Sequence, residues 1–232
     1  MSPGKLDLRL VRALAIGYVA IAAPLILLGF FITKLIDGSA LVAWDERTIR
    51  NFANNRTSSQ NSLSKFWSKL ADAPGIVAVA LVVCIVLAIG RHWRQIVWLL
   101  VLLAFELGTF LTISYVVDRA RPDVVHLGSV PSTGSFPSGH VAATIVLYLT
   151  LTTIAGLHFK ARLVRILGWC WTVIAAMFVG WARMYRGMHH PLDVVAGAVL
   201  GIAIWRLGVL AFGRVDQPEL VPASRGVQKA VA

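Results

Sequence analysis

The sequence predicts an all-α integral membrane protein, a bundle of six transmembrane helices with a long first outer loop. Of its 232 residues, 57% are hydrophobic and only 14% are charged, whereas soluble domains carry roughly 25% charged residues. The hydrophobic residues gather into six runs, most of them close to the roughly 20 residues that a helix needs to cross a bilayer. Backbone groups inside lipid must be satisfied within their own segment, so each run is expected to be a helix. The runs cover residues 14–33, 75–90, 96–117, 141–157, 166–182 and 192–212.

The chain is expected to form a single membrane domain over residues 13–212. Residues 1–12 precede it as a cytoplasmic segment, and residues 213–232 follow it as a cytoplasmic tail that is expected to be disordered. Basic residues before the first run resemble the start of a signal peptide. Because the run is too long for the hydrophobic part of such a peptide, we interpret it as an uncleaved anchor.

The formal net charge of +11 is assigned to the membrane surface and not to nucleic acid. Basic residues flank membrane spans and meet anionic lipid headgroups, and no basic face of this sequence carries a motif that reads DNA or RNA. With the N-terminus in the cytoplasm, the inner segments carry the excess of Lys and Arg, which supports this orientation. We therefore expect a multi-pass protein of the cell membrane with both termini in the cytoplasm.

Three polar segments fall at the outer ends of the predicted helices. Residues 118–122 follow the third run, residues 137–140 precede the fourth, and residues 183–193 join the fifth to the sixth. The alternating topology brings these distant segments to one depth. They are therefore expected to form a single site on the outer face.

Other features of the runs and loops are also informative. The first outer loop, residues 37–72, contains amphipathic stretches that predict a short helix at the membrane interface, and its role stays open between a linker and a lid or gate for lipid.

Glu106 falls in the middle of the third run. Three explanations stay open for an acid at this depth: a functional role, pairing with a Ser or Thr of a neighbouring helix, or protonation. Gly197 and Gly201 lie four residues apart in the sixth run and predict close packing between helices of this chain.

His189 and Asp193 are the first candidates for catalysis. Their spacing of four residues puts them on one face of a helix, and Pro191 suits the first turn of that helix. A carboxylate that accepts a hydrogen bond from one ring nitrogen fixes the tautomer and leaves the other nitrogen free to attack. The alternative is an aspartate that caps the helix beside an interfacial histidine.

The segment that ends at His140 suits an anion site at a helix N-terminus. Ser138 can cap the helix, and Gly139 lets the backbone approach a ligand closely. Backbone amides at a helix start bind anions, and His140 in the first turn could protonate a leaving oxygen. The alternative is an ordinary loop-to-helix cap with a solvated histidine.

Arginines accompany both histidine segments. The guanidinium groups of Arg119, Arg121 and Arg183 match phosphate geometry, whereas Arg186 is better explained by contact with headgroups. Together with two histidines and one aspartate, they indicate phosphoryl chemistry. No acidic cluster that would hold Mg²⁺ is apparent. A zinc site on His140 and His189 would need a third ligand, for which His190 and His126 are weak candidates, so neither a metal nor a cofactor is expected.

These segments resemble the three signature motifs of the type 2 phosphatidic acid phosphatase (PAP2) superfamily of membrane lipid phosphatases. The matching residues are Arg121-Pro122, then Pro137 to His140, then Arg183, His189 and Asp193, and the resemblance centres on residues 106–201. Two positions depart from the pattern. Ser114 stands where the family has Lys, and Ala182 stands where it has Ser. We expect Arg119 to supply the missing charge, which is an inference of ours and not part of the motif.

The resemblance implies a metal-independent phosphatase with a covalent phosphohistidine. His189 would attack phosphorus while Asp193 holds its tautomer, and His140 would protonate the leaving group. The residues expected to bind the phosphate oxygens are Arg121, Arg183, Ser138, the Gly139 amide and, by our inference, Arg119. The expected substrate is undecaprenyl or decaprenyl diphosphate, with phosphatidate or phosphatidylglycerophosphate as the alternative. Because of Ser114 and Ala182, a catalytically silent protein that binds or moves lipid stays open, as does the oligomeric state.

Overall fold

Eight α-helices and one π-helical turn make up most of the part of the chain that the structure, a computed structural model, describes. It describes residues 8–159 and 161–213, so most of the predicted N-terminal segment and nearly all of the predicted C-terminal tail lie outside the described residues. The helices are α1 (Leu8–Phe30, continued by the π-helical turn Phe31–Leu35), α2 (Ala40–Asn54), α3 (Ser58–Ala71), α4 (Ala73–Ile89), α5 (Trp93–Val117), α6 (Gly139–His158), α7 (Arg162–Tyr185) and α8 (Pro191–Gly213).

The predicted all-α membrane architecture is confirmed. Within the described residues, five helical segments are long and apolar enough to cross a membrane: α1 with its π-helical turn, α5, α6, α7 and α8. The remaining predicted span, residues 75–90, corresponds to α4, which has only 17 residues. Helices α3 and α4 together reach the required length, with a bend of 55° between them. The bend falls at Asp72, which separates the two helices.

The first outer loop contains two helices where the sequence predicted one. Helix α2 begins after Ser39, whose hydroxyl accepts a hydrogen bond from the Val42 amide, and α3 begins in the same way after Thr57. Arg56, which lies between the two helices, donates hydrogen bonds to the carbonyl oxygens of Tyr185 and Val125. These contacts attach the loop to the C-terminal end of α7 and to the connection between α5 and α6.

Helices α6 and α8 approach each other closely because two glycines of α8 have no side chain. A Cβ atom at Gly197 would lie 2.4 Å from the carbonyl oxygen of Ser138, and one at Gly201 would lie 2.8 Å from that of Ala142. The predicted packing role of the two glycines within the chain is thereby confirmed. As a result, the N-terminal ends of α6 and α8 lie side by side.

The connection between α5 and α6 returns to the end of the bundle without regular secondary structure. Asp118 ends α5 in the left-handed conformation, with φ 44°. The Ser135 amide then donates a hydrogen bond to the Arg119 carbonyl, and the Ser138 amide donates one to the Asp193 carbonyl. The three polar segments of the sequence are thus brought together at one end of the bundle.

Candidate active site

His189 is buried and oriented by a backbone carbonyl. Its Nδ1 lies 2.7 Å from the carbonyl oxygen of Ser135. Because a carbonyl oxygen only accepts hydrogen bonds, Nδ1 carries the ring proton and donates a hydrogen bond to this oxygen. The lone pair is therefore on Nε2. Burial, assisted by the positive charges of Arg183 and Arg121, holds the pKa of His189 well below its ordinary value. The ring is accordingly neutral near pH 7, which suits a nucleophile.

The expected hydrogen bond between His189 and Asp193 is not formed. The Asp193 carboxylate lies 3.9 Å from His189 Nδ1, beyond hydrogen-bond range. Its Oδ2 instead accepts from the His190 amide at 2.8 Å and approaches His190 Nδ1 at 3.3 Å. The capping alternative therefore describes this carboxylate better, since it satisfies a backbone donor at the start of α8.

Arg119 does not line the cavity that Arg121, Arg183 and His189 line. One of its terminal nitrogens donates to Asp193 and the other donates to Asp45, each at 2.6 Å. Burial lowers the pKa of Arg119, but the two carboxylates outweigh it and raise that pKa above its ordinary value. The expectation that Arg119 replaces the missing lysine is therefore wrong in this structure, because its guanidinium already serves two buried carboxylates.

His140 faces His189 across the site. The ring centroids are 6.5 Å apart, and Nε2 of His140 lies 2.7 Å from a carboxylate oxygen of Asp72. Asp72 belongs to the first outer loop, between α3 and α4. The two histidines of the sequence motifs thus come together, and the carboxylate bound to His140 comes from outside those motifs.

Arg121 and Arg183 extend into the same site from different elements. Arg121 donates to the carbonyl oxygens of Met188, Thr133 and Gly134 at 2.7–3.2 Å. Arg183 donates to the Ser68 hydroxyl at 2.8 Å. The Nε atoms of both arginines are buried and have no hydrogen-bond partner among the described residues. Each guanidinium is thus held by the protein and keeps an N–H donor that no described residue satisfies.

Ser138 and Gly139 form the start of α6 as expected. Ser138 is the N-cap residue, but its side chain makes no capping hydrogen bond, and its Oγ is buried without a partner among the described residues. A Cβ atom at Gly139 would lie 3.0 Å from the ring of Phe110, so glycine permits this close approach. The segment offers an anion both the Ser138 hydroxyl and backbone amides at a helix N-terminus.

The two positions that depart from the family motif are both buried. Ser114 donates its hydroxyl hydrogen bond to the Gly134 carbonyl at 3.1 Å, which supports the loop that also holds Arg121. Ala182 has no exposed surface and no hydroxyl. Ser68 of α3 instead provides a hydroxyl to the neighbouring Arg183.

A long apolar cavity of about 660 Å³ begins at the two histidines and two arginines of the site and continues between α4 and α5. At one end it is lined by Arg121, Gly139, His140, Arg183 and His189. Further along, hydrophobic residues of one face of α5 line it at intervals of three or four residues, from Ile96 to Phe110. At 1.5 Å per residue, that face is roughly 21 Å long. The cavity has the shape and lining of a site for a hydrocarbon chain.

Several polar contacts of the site come from residues that the sequence reasoning did not single out. Asp45, Ser68 and Asp72 belong to the first outer loop, and Thr133 and Ser135 belong to the connection before α6. The sequence contained an indication that Asp45 has a buried partner, because it is an acid on the buried face of an amphipathic helix. In the described part of the chain, no three His, Cys, Asp or Glu side chains are grouped as metal ligands.

Comparison with known proteins identifies the family. The model of the PAP2 superfamily matches residues 95–216. The undecaprenyl-diphosphatase of Sulfolobus acidocaldarius is 31% identical over 186 residues, which cover 76% of this chain and 82% of the relative. Phosphatidylglycerophosphatase B of Bacillus subtilis is 28% identical over 142 residues, or 57% of this chain and 68% of the relative.

A solved structure has the same fold. The crystal structure of a transmembrane PAP2 type phosphatidylglycerolphosphate phosphatase from Bacillus subtilis superposes with a TM-score of 0.73 at 20% sequence identity. The superposition covers 84% of this chain and 98% of that one. The family model spans more than half of the sequence and includes all the histidine and arginine residues of the site. The chain belongs to the PAP2 superfamily.

Proposed function

We propose that this protein is a membrane phosphatase that hydrolyses lipid phosphates or diphosphates through a phosphohistidine at His189. The observation that carries the proposal is the pairing of His189, which lines the cavity and donates from Nδ1 to a carbonyl oxygen, with His140 at a ring separation of 6.5 Å. Two arginines line the same end of the cavity. The first substrate we propose is a polyprenyl diphosphate, which the similarity to an undecaprenyl-diphosphatase along most of both chains supports.

In the first step, Nε2 of His189 attacks the terminal phosphorus of the lipid. The N–P bond forms as the bond between phosphorus and the leaving oxygen breaks, and His140 gives its proton to that oxygen. Arg121, Arg183, the Gly139 amide and the Ser138 hydroxyl stabilise the charge on the equatorial oxygens. Asp72 holds the His140 ring in the orientation that proton transfer needs.

In the second step, water attacks the phosphohistidine. His140, which lost its proton in the first step, accepts one from this water as the N–P bond breaks. Inorganic phosphate leaves and His189 returns to its neutral form. Protonated and unprotonated His140 thus act in turn, and each turnover consumes one water.

The proposed reaction uses no metal ion. Guanidinium groups and backbone amides supply the positive charge that a divalent cation provides in other phosphatases. The proposed orientation places the site on the outer face of the cell membrane with both termini in the cytoplasm. It is supported by the distribution of basic residues and by the position of all site residues at one end of the bundle.

Glycerolipid phosphates such as phosphatidate or phosphatidylglycerophosphate are the second candidate substrates. Phosphatidylglycerophosphatase B is a relative, and Glu106, a polar side chain in the otherwise apolar part of the cavity, favours a lipid that carries oxygen atoms beyond its phosphate. The departures from the family motif at Ser114 and Ala182 leave in place every residue that acts in the two proposed steps. A silent lipid-binding or lipid-transporting protein is the outcome to which a negative result of the following experiment would point.

The experiment is phosphate release from a panel of lipid phosphates and diphosphates in detergent with excess EDTA. The wild type is expected to release phosphate, and His189→Ala is expected to release none. The control is His92→Ala, which changes an exposed histidine on the connection between α4 and α5. Absence of release from every lipid, or full activity of His189→Ala, would refute the enzyme proposal. Loss of release in EDTA that Mg²⁺ restores would refute the metal-independent step.

A further inference from the structure

Glu106 is a carboxylic acid in the middle of a membrane-spanning helix. Only 4% of the residue is exposed, and it lines the apolar cavity among hydrophobic neighbours such as Leu103 and Leu107. Its Oε1 atom has no hydrogen-bond partner among the residues that the structure describes. An acid at this depth is costly to bury, so its presence indicates a role.

The neutral acid is the form that suits this enclosure. An ionised carboxylate without a partner is far more costly inside an apolar cavity than the protonated group. A protonated carboxyl carries one O–H donor. Glu106 therefore presents a hydrogen-bond donor to whatever occupies the cavity, while the aliphatic and aromatic side chains around it present none.

Its depth matches a particular part of a bound lipid. The Phe110 ring lies beside Gly139, the residue before His140, since a Cβ added at Gly139 would be 3.0 Å from it. Glu106 lies one helical turn further from the site, roughly 6 Å along the axis of α5. A lipid whose leaving oxygen is at His140 therefore passes Glu106 within a few bonds of its phosphate. In a diacylglycerol phosphate the ester carbonyls lie at this distance, whereas an isoprenoid chain offers no acceptor there.

We infer that Glu106 determines specificity by donating a hydrogen bond to an ester carbonyl of a bound glycerolipid phosphate. The inference rests on the proposed function, since it assigns the cavity to the substrate lipid. The contact extends the substrate range of a site that accepts polyprenyl diphosphate to diacylglycerol phosphates. When the bound lipid lacks that carbonyl, the Glu106 donor has no partner, and the unsatisfied donor lowers the affinity for that lipid.

The test compares two lipids that differ only at these carbonyls. The probes are dioleoyl phosphatidate and its diether analogue with the same chains, and the readout is the ratio of their kcat/KM values. The wild type is expected to favour the ester by about three- to tenfold, the range that one hydrogen bond supplies. Glu106→Leu is expected to bring the ratio close to one, and Glu106→Gln, which keeps an N–H donor, is expected to retain the preference.

The ratio of the two kcat/KM values is measured within each variant. A lower fraction of active protein reduces both values equally and therefore cancels from the ratio. An equal ester preference in the wild type and in Glu106→Leu overturns the inference, as does loss of the preference in Glu106→Gln with the donor still present. His189→Ala is assayed on the same lipids. If it stays active, or if no lipid is hydrolysed by the wild type, the proposed function fails. If only the ester preference is insensitive to Glu106, this inference fails alone.

Discussion

Asp72 accepts a hydrogen bond of 2.7 Å from Nε2 of His140, which connects the bend between α3 and α4 to the start of α6. The contact gives the first outer loop a part in the site that neither alternative from the sequence, linker or lid, described. The same loop supplies Ser68 to Arg183 and Asp45 to Arg119. The loop is therefore a structural component of the site.

Removing the Asp72 carboxylate is expected to impair protonation of the leaving group. Asp72→Asn should lower kcat for a lipid phosphate by about 10- to 100-fold, because a misoriented acid loses part of the benefit of general acid catalysis. For p-nitrophenyl phosphate, whose leaving group needs little protonation, the loss should be much smaller. Asp37→Asn, which changes an exposed acid of the same loop, is the control. Equal losses on both substrates would indicate a purely structural role for Asp72.

Arg119 is expected to be important for stability. Its replacement by Ala leaves Asp45 and Asp193 buried without their cation, a change that typically costs about 3–5 kcal/mol. Arg119→Ala should therefore lower the Tm in detergent strongly, and adding Asp45→Asn should recover part of the loss. If Arg119→Ala instead keeps the wild-type Tm and raises only KM, Arg119 binds phosphate and does not serve to neutralise the two buried carboxylates.

Acid is expected to destabilise the protein through His189. Its folded pKa lies below the unfolded value near 6.5, so below about pH 6.5 the unfolded chain binds a proton that the folded chain does not. The free energy of unfolding then decreases as the pH falls, by at most about 1.4 kcal/mol per pH unit for this one group. The Tm of the wild type should drop more between pH 7.5 and 5.5 than that of His189→Gln. Parallel drops in both proteins would show that His189 does not contribute.

The contact between α6 and α8 is expected to tolerate no added methyl group at Gly197. Its Cβ would lie 2.4 Å from the Ser138 carbonyl, and relieving that overlap must displace either helix start, at a cost of about 1–3 kcal/mol. Gly197→Ala should lower both Tm and kcat, since small displacements of catalytic groups reduce rates steeply. Gly108→Ala, where a Cβ would meet nothing within 4 Å, is the matched control. Equal behaviour of the two variants would contradict the packing argument.

The two histidines of the site and the membrane spans could be predicted from the sequence because both depend on local patterns. Long apolar runs select helices in lipid, and the motif residues keep fixed spacings. The partner of His189 could not be predicted from spacing, since the choice between Asp193 and the Ser135 carbonyl depends on how the connection before α6 folds back. The same holds for Asp72, because nothing local to an outer loop indicates that its carboxylate contacts a helix start 68 residues later.

The apolar cavity between α4 and α5 has a consequence for how affinity arises. A hydrocarbon tail that moves from the bilayer into this groove exchanges one apolar surrounding for another, so its transfer yields little hydrophobic free energy. Selection among membrane lipids then depends on the few polar contacts at the end of the cavity that the histidines and arginines line, and at Glu106. The relevant measure of substrate is accordingly its mole fraction in the surrounding membrane or micelle, and dilution with inert detergent should slow the reaction at constant total lipid.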